Sequence, residues 1–356
     1  MLEHGGRLLE AARRHGLDAS CWLDLSTGIN PHVYPVTPVS AEVWRRLPEA
    51  EDGLIEVAHR YYGIADDAID HVELVPIAGT QAAIQALPRV LARVLTQSDV
   101  RSDSTGQPLR VSLAALTYNE YAHAWQRAGH AVTAHDFSHL PNAAAQSDIV
   151  MLCQPNNPTG ARLSTESLHA MLASLRSHSG FLIVDEAYMD ATPGGSLLCS
   201  LNATDWEHVI VLRSVGKFFG LAGARAGFAL GSPKLMQALS EELGPWALSG
   251  PTRAAVAQAM NDEAWQINTR AALRAVAAKL NTMLHHRLGV ETTGTTLFRW
   301  FEHPRSADLH SHLASTAILV RQFAAPATGG LPSLRFGLPA NDQQLARLDA
   351  ALETFK

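Results

Sequence analysis

The stretch "GFLIVDEAY" (180–188) decides the fold class, because it joins an uninterrupted apolar run to a pair of acids. It follows the helical pattern "STESLHAMLASLRSH" (164–178). A strand that is apolar on both faces is typical of the interior of a parallel sheet, where helices cover both sides. The stretch therefore predicts a buried parallel strand, with "DEAY" (185–188) lying at the edge of the sheet.

Similar apolar runs recur before and after this strand. They occupy 72–79, 110–116, 148–155, 208–214 and 226–231. The first two lead into the helical patterns "TQAAIQALPRVL" and "NEYAHAWQRAGH". Strand–helix alternation over about residues 70–235 predicts an α/β fold with a mostly parallel sheet. In such sheets ligands bind beyond the carboxyl ends of the strands.

The C-terminal part of the chain has a different pattern. After a break rich in proline and glycine (244–252) comes a long helical pattern (253–288), followed by the apolar runs "TLFRWFE" and "AILVRQF". This order predicts a smaller α+β domain. We expect a large domain at 35–250, and a small domain that combines 251–356 with an N-terminal arm at 1–34.

The composition indicates a globular protein, since 47% of the 356 residues are hydrophobic, 17% are charged and the formal net charge is −6. Without a basic run, nucleic acid is not an expected partner. No apolar run approaches the ~20 residues of a membrane span, and three scattered cysteines fit a reducing compartment. We therefore expect a soluble, cytoplasmic protein. Only His285 and His286 are adjacent among 17 histidines, so no metal site is expected.

Residues with complementary chemistry follow several of the predicted strands. Lys217, in "RSVGKFFGLAGARAG" (213–227), supplies an amine that can form a Schiff base with an aldehyde. Asp185 can keep a pyridine nitrogen protonated, which makes the ring an electron sink. Asn157 and Tyr188 can donate hydrogen bonds to the phenolate oxygen, and Tyr118 can stack on the ring. The predicted cofactor is therefore pyridoxal 5'-phosphate.

A phosphate site is predicted beside these residues. Gly79, Thr80 and Gln81 begin a helix directly after a strand, and free N–H groups at a helix N-terminus favour an anion. Ser214 and Arg225 complete the predicted phosphate cup with hydrogen bonds, those of the guanidinium being charge-assisted.

The motifs "PNNPTG" (155–160) and "DEAY" (185–188), followed by serine, lysine and arginine in that order, resemble those of a known enzyme family. They are similar to the fold-type I pyridoxal-phosphate enzymes of the aspartate aminotransferase superfamily, from about residue 24 to residue 352. The resemblance implies the same roles for the residues above, with Lys217 as the catalytic lysine. It also implies that Arg335, in "SLRFGLP", binds the substrate carboxylate, and that the protein is a homodimer.

Within the superfamily, the chain resembles the branch of histidinol-phosphate aminotransferases and threonine-phosphate decarboxylases. "DLSTGINP" (24–31) resembles the N-terminal loop of the branch, whose asparagine lies by the substrate. An N-terminal "HGG" and the stretch "AILVRQFA" resemble the decarboxylases of cobalamin synthesis. The resemblance thus implies a phosphorylated amino acid as substrate, and it adds the following candidate substrate-binding residues: His4, Gly5, Gly6, Asn30 and Arg321.

We therefore expect a threonine-phosphate decarboxylase activity, which would yield (R)-1-amino-2-propanol O-2-phosphate for the cobalamin nucleotide loop. An aminotransferase acting on histidinol phosphate is the alternative, because both classes use the same cofactor-binding residues. A cofactor-binding protein without turnover is a further alternative, which an intact set of Asp185, Lys217 and Arg225 disfavours. Two positions depart from the branch: Leu47 stands where a tyrosine reaches the partner subunit's cofactor, and Gly216 stands where serine or threonine is usual.

Overall fold

The computed structural model describes residues 5–64, 70–96 and 107–356. Their strands form a seven-stranded sheet and a five-stranded sheet. The strands are β1 (Leu23–Leu25), β2 (Glu73–Ile77), β3 (Arg110–Ala114), β4 (Ala131–His135), β5 (Ile149–Cys153), β6 (Phe181–Asp185), β7 (Val209–Ser214), β8 (Gly227–Gly231), β9 (Thr293–Thr295), β10 (Phe298–Glu302), β11 (Ile318–Phe323) and β12 (Ser333–Gly337).

The helices lie mainly between these strands. They are α1 (Leu8–His15), α2 (Ala41–Arg45), α3 (Leu54–Tyr62), α4 (Thr80–Thr96), α5 (Glu120–Arg127), α6 (Leu140–Ala143), α7 (Thr165–Arg176), α8 (Val215–Phe218), α9 (Pro233–Leu243), α10 (Gly250–Asn261), α11 (Glu263–Leu288), α12 (Ser306–Ser315) and α13 (Asp342–Glu353). Within the described residues, no helix is long and apolar enough to cross a membrane.

The large sheet has the strand order β2-β8-β7-β6-β5-β3-β4. From β4 to β7 every neighbouring pair is parallel, whereas β8 pairs antiparallel with both β7 and β2. All residues of β5, β6, β7 and β8 are buried. The predicted α/β fold with a mostly parallel sheet is confirmed, and the carboxyl ends of β5, β6 and β7 meet at one edge.

Helix α7 shows how the sequence covers this sheet. Ser164 caps the helix by accepting a hydrogen bond from the backbone N–H of Ser167. Its buried residues, Leu168, Met171, Leu172 and Leu175, recur at the spacing of one helical face. Burial of a leucine side chain contributes about 1.5–3 kcal/mol. The apolar face therefore holds the helix on the sheet.

The predicted helical pattern over 253–288 is in fact two helices. Asp262 leaves helical geometry, with φ −90° and ψ 75°, and its carboxylate caps α11 by accepting from the Trp265 N–H. An aspartate competes well for backbone donors outside a helix, so it favours a helix boundary.

The small sheet has the order β1-β11-β12-β10-β9, in which β1 pairs parallel with β11 and the other pairs are antiparallel. An N-terminal strand thus completes a sheet made of C-terminal strands. The strands of the large sheet all fall within residues 73–231. The predicted division into 35–250 and a small domain of 1–34 with 251–356 is compatible with these sheets and stays a prediction.

Candidate active site

Lys217 lies in α8, the single helical turn that follows β7, and its side chain lines a cavity at the edge of the large sheet. Its Nζ atom is 5.8 Å from the centre of the Tyr188 ring. Burial, reinforced by the nearby Arg335, lowers the pKa of Lys217 from 10.5 to about 8, although Asp185 opposes the shift. Lys217 therefore loses its proton more readily than an ordinary lysine, and it is not a solvated surface charge.

The structure brings all of the predicted cofactor residues into the lining of this one cavity. They come from the ends of different strands and from the helices that follow them. The set is Gly79, Thr80, Gln81, Tyr118, Asn157, Asp185, Tyr188, Ser214, Lys217 and Arg225. The contact of each residue with a particular cofactor atom stays a prediction.

Asp185 ends β6 and is buried at the base of the cavity. One carboxylate oxygen accepts a 3.0 Å hydrogen bond from the Ala187 N–H, and the other accepts a 2.8 Å bond from the Tyr121 hydroxyl. Burial raises the pKa of Asp185 from 3.8 to about 6, while these hydrogen bonds and Lys217 act in the opposite direction. A positive ring nitrogen facing Asp185 would offset the burial of its charge.

Tyr121 is a site residue that the sequence reasoning missed. It lies in α5, three residues after Tyr118, which precedes the helix, and its backbone N–H donates a 3.1 Å hydrogen bond to the Tyr118 carbonyl oxygen. The ring centres of the two tyrosines are 5.4 Å apart. The sequence carried no signal that separates this tyrosine from an ordinary core residue.

The predicted phosphate cup is built around the start of α4. A Cβ atom at Gly79, where φ is +73°, would lie 2.9 Å from the Arg225 guanidinium. Only glycine combines this backbone conformation with such a close approach. Thr80 begins α4, so the first N–H groups of the helix have no carbonyl partner within it.

The Gln81 side chain contacts its neighbours, and the predicted contact of Gln81 with the cofactor phosphate stays a prediction. Its Oε1 accepts a 3.1 Å hydrogen bond from the Tyr118 hydroxyl, and its Nε2 donates a 2.8 Å bond to Glu120. These contacts hold the Tyr118 ring at the cavity. Of the donors of Gln81, only the backbone N–H remains available to bind the cofactor phosphate.

Gly216 lies close to the backbone of the same turn. A Cβ atom there would lie 3.0 Å from the Ala222 Cα atom, so a serine or threonine would require the turn around Lys217 to shift by a few tenths of an ångström. With glycine, this position supplies no hydroxyl donor.

Arg335 lies in β12 and is buried, with its guanidinium in the lining of an adjoining cavity. Its Nη1 contacts the Asn157 Oδ1, and its Nη2 donates a 2.7 Å hydrogen bond to the Ser26 carbonyl oxygen. Its Nε has no hydrogen-bond partner among the described residues. The contact with Arg335 leaves the Asn157 amide NH₂ group to donate into the cofactor cavity.

The adjoining cavity also contains Lys217, Arg225, Arg321 and Gly5. Within the described part of the chain, no Asp or Glu lines it. The Gly6 N–H donates a 2.8 Å hydrogen bond to the Ser26 hydroxyl, and a Cβ atom at Gly5 would collide with the Ser26 carbonyl. The N-terminal arm therefore reaches this cavity. His4, predicted to contact the substrate, lies outside the described residues.

Asn30 lines neither cavity, and its role as a substrate ligand stays a prediction. Its amide donates to the Phe218 carbonyl at 2.8 Å and accepts from the His32 N–H at 2.9 Å. Its backbone N–H donates to the Lys217 carbonyl at 2.9 Å. Because both side-chain groups are engaged with backbone, Asn30 positions the loop of Lys217.

The donor set fits pyridoxal phosphate. The cavity combines a half-buried amine of lowered pKa, a buried carboxylate, and an anion site at a helix N-terminus beside Arg225. The glycine at position 79 leaves the space that a Cβ atom would fill. Within the described residues, no group of His, Cys, Asp and Glu is arranged to hold a metal ion.

Comparison with known proteins agrees with this geometry. The family model described as aminotransferase class I and II matches residues 44–352. This chain belongs to that family.

Two relatives are similar over nearly the whole chain. The threonine-phosphate decarboxylase of Pseudomonas aeruginosa is 44% identical over 356 residues, covering 100% of this chain and 98% of the relative. The threonine-phosphate decarboxylase of Sinorhizobium sp is 36% identical over 365 residues, covering 98% of each. The expected branch of the superfamily is confirmed by these relatives.

A solved structure shows the same fold. The histidinol-phosphate aminotransferase of Sinorhizobium meliloti, in complex with pyridoxal-5'-phosphate, has a TM-score of 0.75 at 19% identity. The match covers 99% of this chain and 97% of that one. The expected fold is confirmed by this structure, and the expected pyridoxal-phosphate cofactor follows from the family and from the threonine-phosphate decarboxylases.

Proposed function

We propose that this protein is a pyridoxal-phosphate-dependent decarboxylase of L-threonine O-3-phosphate. The reaction releases carbon dioxide and leaves (R)-1-amino-2-propanol O-2-phosphate, because the carbon that bears the phosphate is not altered. One observation carries the proposal: Arg321 and Arg335 pair across β11 and β12 and both open onto the cavity of Lys217. A short amino acid with two anionic groups complements this cavity, which no carboxylate from the described residues lines.

The relatives support this substrate in preference to histidinol phosphate. The two threonine-phosphate decarboxylases match nearly the full chain, at 44% and 36% identity. The histidinol-phosphate aminotransferase of Serratia proteamaculans matches 72% of this chain, at 28% identity. The resemblance implies that 1-amino-2-propanol phosphate is used to build the nucleotide loop of cobalamin. We therefore place the reaction in cobalamin synthesis.

The residues of the first cavity would hold the cofactor. Asp185 would pair with its ring nitrogen, Asn157 and Tyr188 would donate to its phenolate oxygen, and Tyr118 would pack on its ring. The N-terminus of α4, with Ser214 and Arg225, would bind its phosphate. When bound, pyridoxal phosphate supplies an electron sink for the pair of electrons that a broken bond leaves at Cα.

The protein chooses which bond breaks by anchoring the two anionic groups of the substrate. Arg335 keeps N–H groups beyond those that it gives to Asn157 and Ser26, and these bind the carboxylate. Arg321 binds the phosphate. Two fixed anchors determine the rotation about the Cα–N bond, so that the bond from Cα to the carboxylate is the one aligned for cleavage. Lys217 then delivers a proton to Cα from Nζ.

The test is product analysis with purified protein carrying pyridoxal phosphate, without any keto acid. We expect catalytic release of carbon dioxide from L-threonine O-3-phosphate together with 1-amino-2-propanol phosphate. Absence of release, combined with amino transfer from histidinol phosphate to 2-oxoglutarate, would show the aminotransferase instead. A matched Lys217→Ala variant controls for reaction with free cofactor.

We propose further that the enzyme is a cytoplasmic homodimer. Large apolar side chains on one part of the surface support this assembly: Trp44 is 69% exposed, Leu47 64% and Trp246 58%. Leu47 and Trp246 border neighbouring grooves that share Pro48 and Arg253. Charged substitution of Trp44 should shift sedimentation from dimer to monomer. The same change at Ile267, which is 57% exposed outside these grooves, should leave the dimer intact.

A further inference from the structure

We propose that the ring of Phe323 sets the spacing of the two anion-binding guanidiniums, and thereby selects substrates that carry a carboxylate and a phosphate on adjacent carbons. This inference rests on the proposed decarboxylase function. It concerns a residue that neither the sequence motifs nor the cofactor site assigns.

The strand register brings two like charges together. Arg321 of β11 is the direct partner of Arg335 of β12 in an antiparallel pair. Like charges directly opposite each other destabilise a sheet. Contacts of the two guanidiniums with other groups offset this repulsion.

Phe323 provides a contact that both arginines share. It lies two residues after Arg321 in β11, so the two side chains leave the strand on the same face. The Arg321 Cζ atom is 5.3 Å from the centre of the Phe323 ring, and the Arg335 Cζ atom is 6.0 Å from it. Both distances are within the ~6 Å reach of a cation–π interaction.

All three side chains line the cavity that also contains Lys217. A guanidinium that packs against a ring keeps its N–H edge available for an anion. Arg335 is also fixed by Asn157, by the Ser26 carbonyl and by the Phe298 ring, whose centre lies 5.3 Å from its Cζ atom. The Phe323 ring therefore sets the position of Arg321 relative to Arg335. A ligand with both anions uses both groups at once, whereas a ligand with one anion gains nothing from their separation.

The experiment compares Phe323→Leu, which keeps an apolar side chain, with Phe323→Tyr, which keeps the ring. The ligands are L-threonine O-3-phosphate, L-threonine, which lacks the phosphate, and 1-amino-2-propanol phosphate, which lacks the carboxylate. Steady-state kinetics gives KM and kcat for the first ligand and inhibition constants for the other two. Calorimetry on cofactor-loaded Lys217→Ala protein, with and without Phe323→Leu, gives the dissociation constant of threonine phosphate without turnover.

We expect Phe323→Leu to raise the KM and the dissociation constant for threonine phosphate about tenfold, from the usual strength of partly buried cation–π contacts. Its kcat should stay within about threefold, since the lost binding is common to ground and transition states. The single-anion ligands should change less than about threefold, and Phe323→Tyr should behave as wild type within about twofold.

Equal weakening of all three ligands would overturn the inference, as would Phe323→Tyr behaving like Phe323→Leu. Phe323→Met serves as a second aliphatic variant if Phe323→Leu folds poorly. Failure of the proposed function gives a different result: wild-type protein that binds threonine phosphate without releasing carbon dioxide. In that case the calorimetric comparison still decides the role of the ring.

Discussion

The Tyr121 hydroxyl donates a 2.8 Å hydrogen bond to the Asp185 carboxylate, and both side chains are buried. The bond joins α5 to the end of β6 beneath the cofactor cavity. It stabilises the charged form of a carboxylate that burial disfavours.

Tyr121→Phe should therefore raise the pKa of Asp185 above its value of about 6 and weaken cofactor binding. A hydrogen bond to a charged group contributes about 1.5–3 kcal/mol, so we expect the dissociation constant of pyridoxal phosphate to rise at least about tenfold near pH 7. Fluorescence titration of apoprotein measures it. Tyr34→Phe is the matched control, because that hydroxyl donates to Asp262 at 3.2 Å and lines neither cavity. Unchanged affinity in Tyr121→Phe would contradict the role.

Asp185 also gives the apoprotein a defined pH dependence. Its pKa in the folded protein, about 6, lies above the ordinary 3.8. Its contribution to stability is thus fully present below about pH 4 and is lost as the pH rises through about 6. Asp185→Asn should increase the free energy of unfolding of the apoprotein at pH 7 by up to about 3 kcal/mol. Urea denaturation from pH 4 to 8 measures the free energies of unfolding of both proteins. A difference between them that does not shrink towards pH 4 would contradict the prediction.

Lys217 should control the rate at which apoprotein recombines with pyridoxal phosphate. Only the neutral amine attacks the aldehyde, and burial lowers its pKa to about 8. The recombination rate should rise with pH and level off above a midpoint near 8. Stopped-flow absorbance measures it. A midpoint near 10.5, the ordinary value for lysine, would show that Lys217 is not in the low-polarity site described. Lys217→Ala should form no covalent link.

Arg335→Lys should weaken substrate binding although it keeps the charge. Lysine cannot reproduce the fork that contacts Asn157 and the Ser26 carbonyl while leaving N–H groups for a carboxylate. We expect kcat/KM for threonine phosphate to fall about 100-fold, from the usual 2–5 kcal/mol for a buried charge pair. Arg305→Lys is the control, since Arg305 is exposed and packs on Phe355. A decrease in kcat/KM of less than about threefold would show that Arg335 does not bind the substrate carboxylate.

Arg213 should be a determinant of stability rather than of substrate binding. It is buried between the carboxylates of Glu186 and Asp190. Arg213→Met leaves both charges buried without their shared cation, so we expect a loss of about 3–5 kcal/mol. Chemical denaturation measures the loss. Combining Arg213→Met with Glu186→Gln and Asp190→Asn should recover part of it, and no recovery would show that the ion pairs are not the cause.

The parts of the fold that follow from local pattern were predictable from the sequence. β6 is uniformly buried, so its composition alone indicates an interior strand, and the polar residues after it had to lie at the sheet edge. β4 was not predicted, because its residues are exposed or half-buried and it forms the outer edge of the sheet. Edge strands lack the continuous apolar run of interior ones.

The features of the site that the sequence did not show depend on contacts between distant parts of the chain. Asn30 bonds to the Phe218 carbonyl, 188 residues away, so no local pattern shows that its amide is occupied. The close approach of Ala222 to Gly216 depends on the turn around Lys217. Tyr121 and Phe323 were overlooked because tyrosine and phenylalanine at helix and strand spacing usually indicate core packing. Their partners, Asp185 and two arginines, are visible only in three dimensions.

The most direct test of the proposed reaction is to run it in D₂O and analyse the product by NMR and mass spectrometry. Cleavage of the bond between Cα and the carboxylate predicts one deuterium on carbon 1 of 1-amino-2-propanol phosphate, with the original Cα hydrogen retained. Replacement of the Cα hydrogen by deuterium in recovered threonine phosphate, without release of carbon dioxide, would contradict the account and show that the Cα–H bond is the one aligned for cleavage.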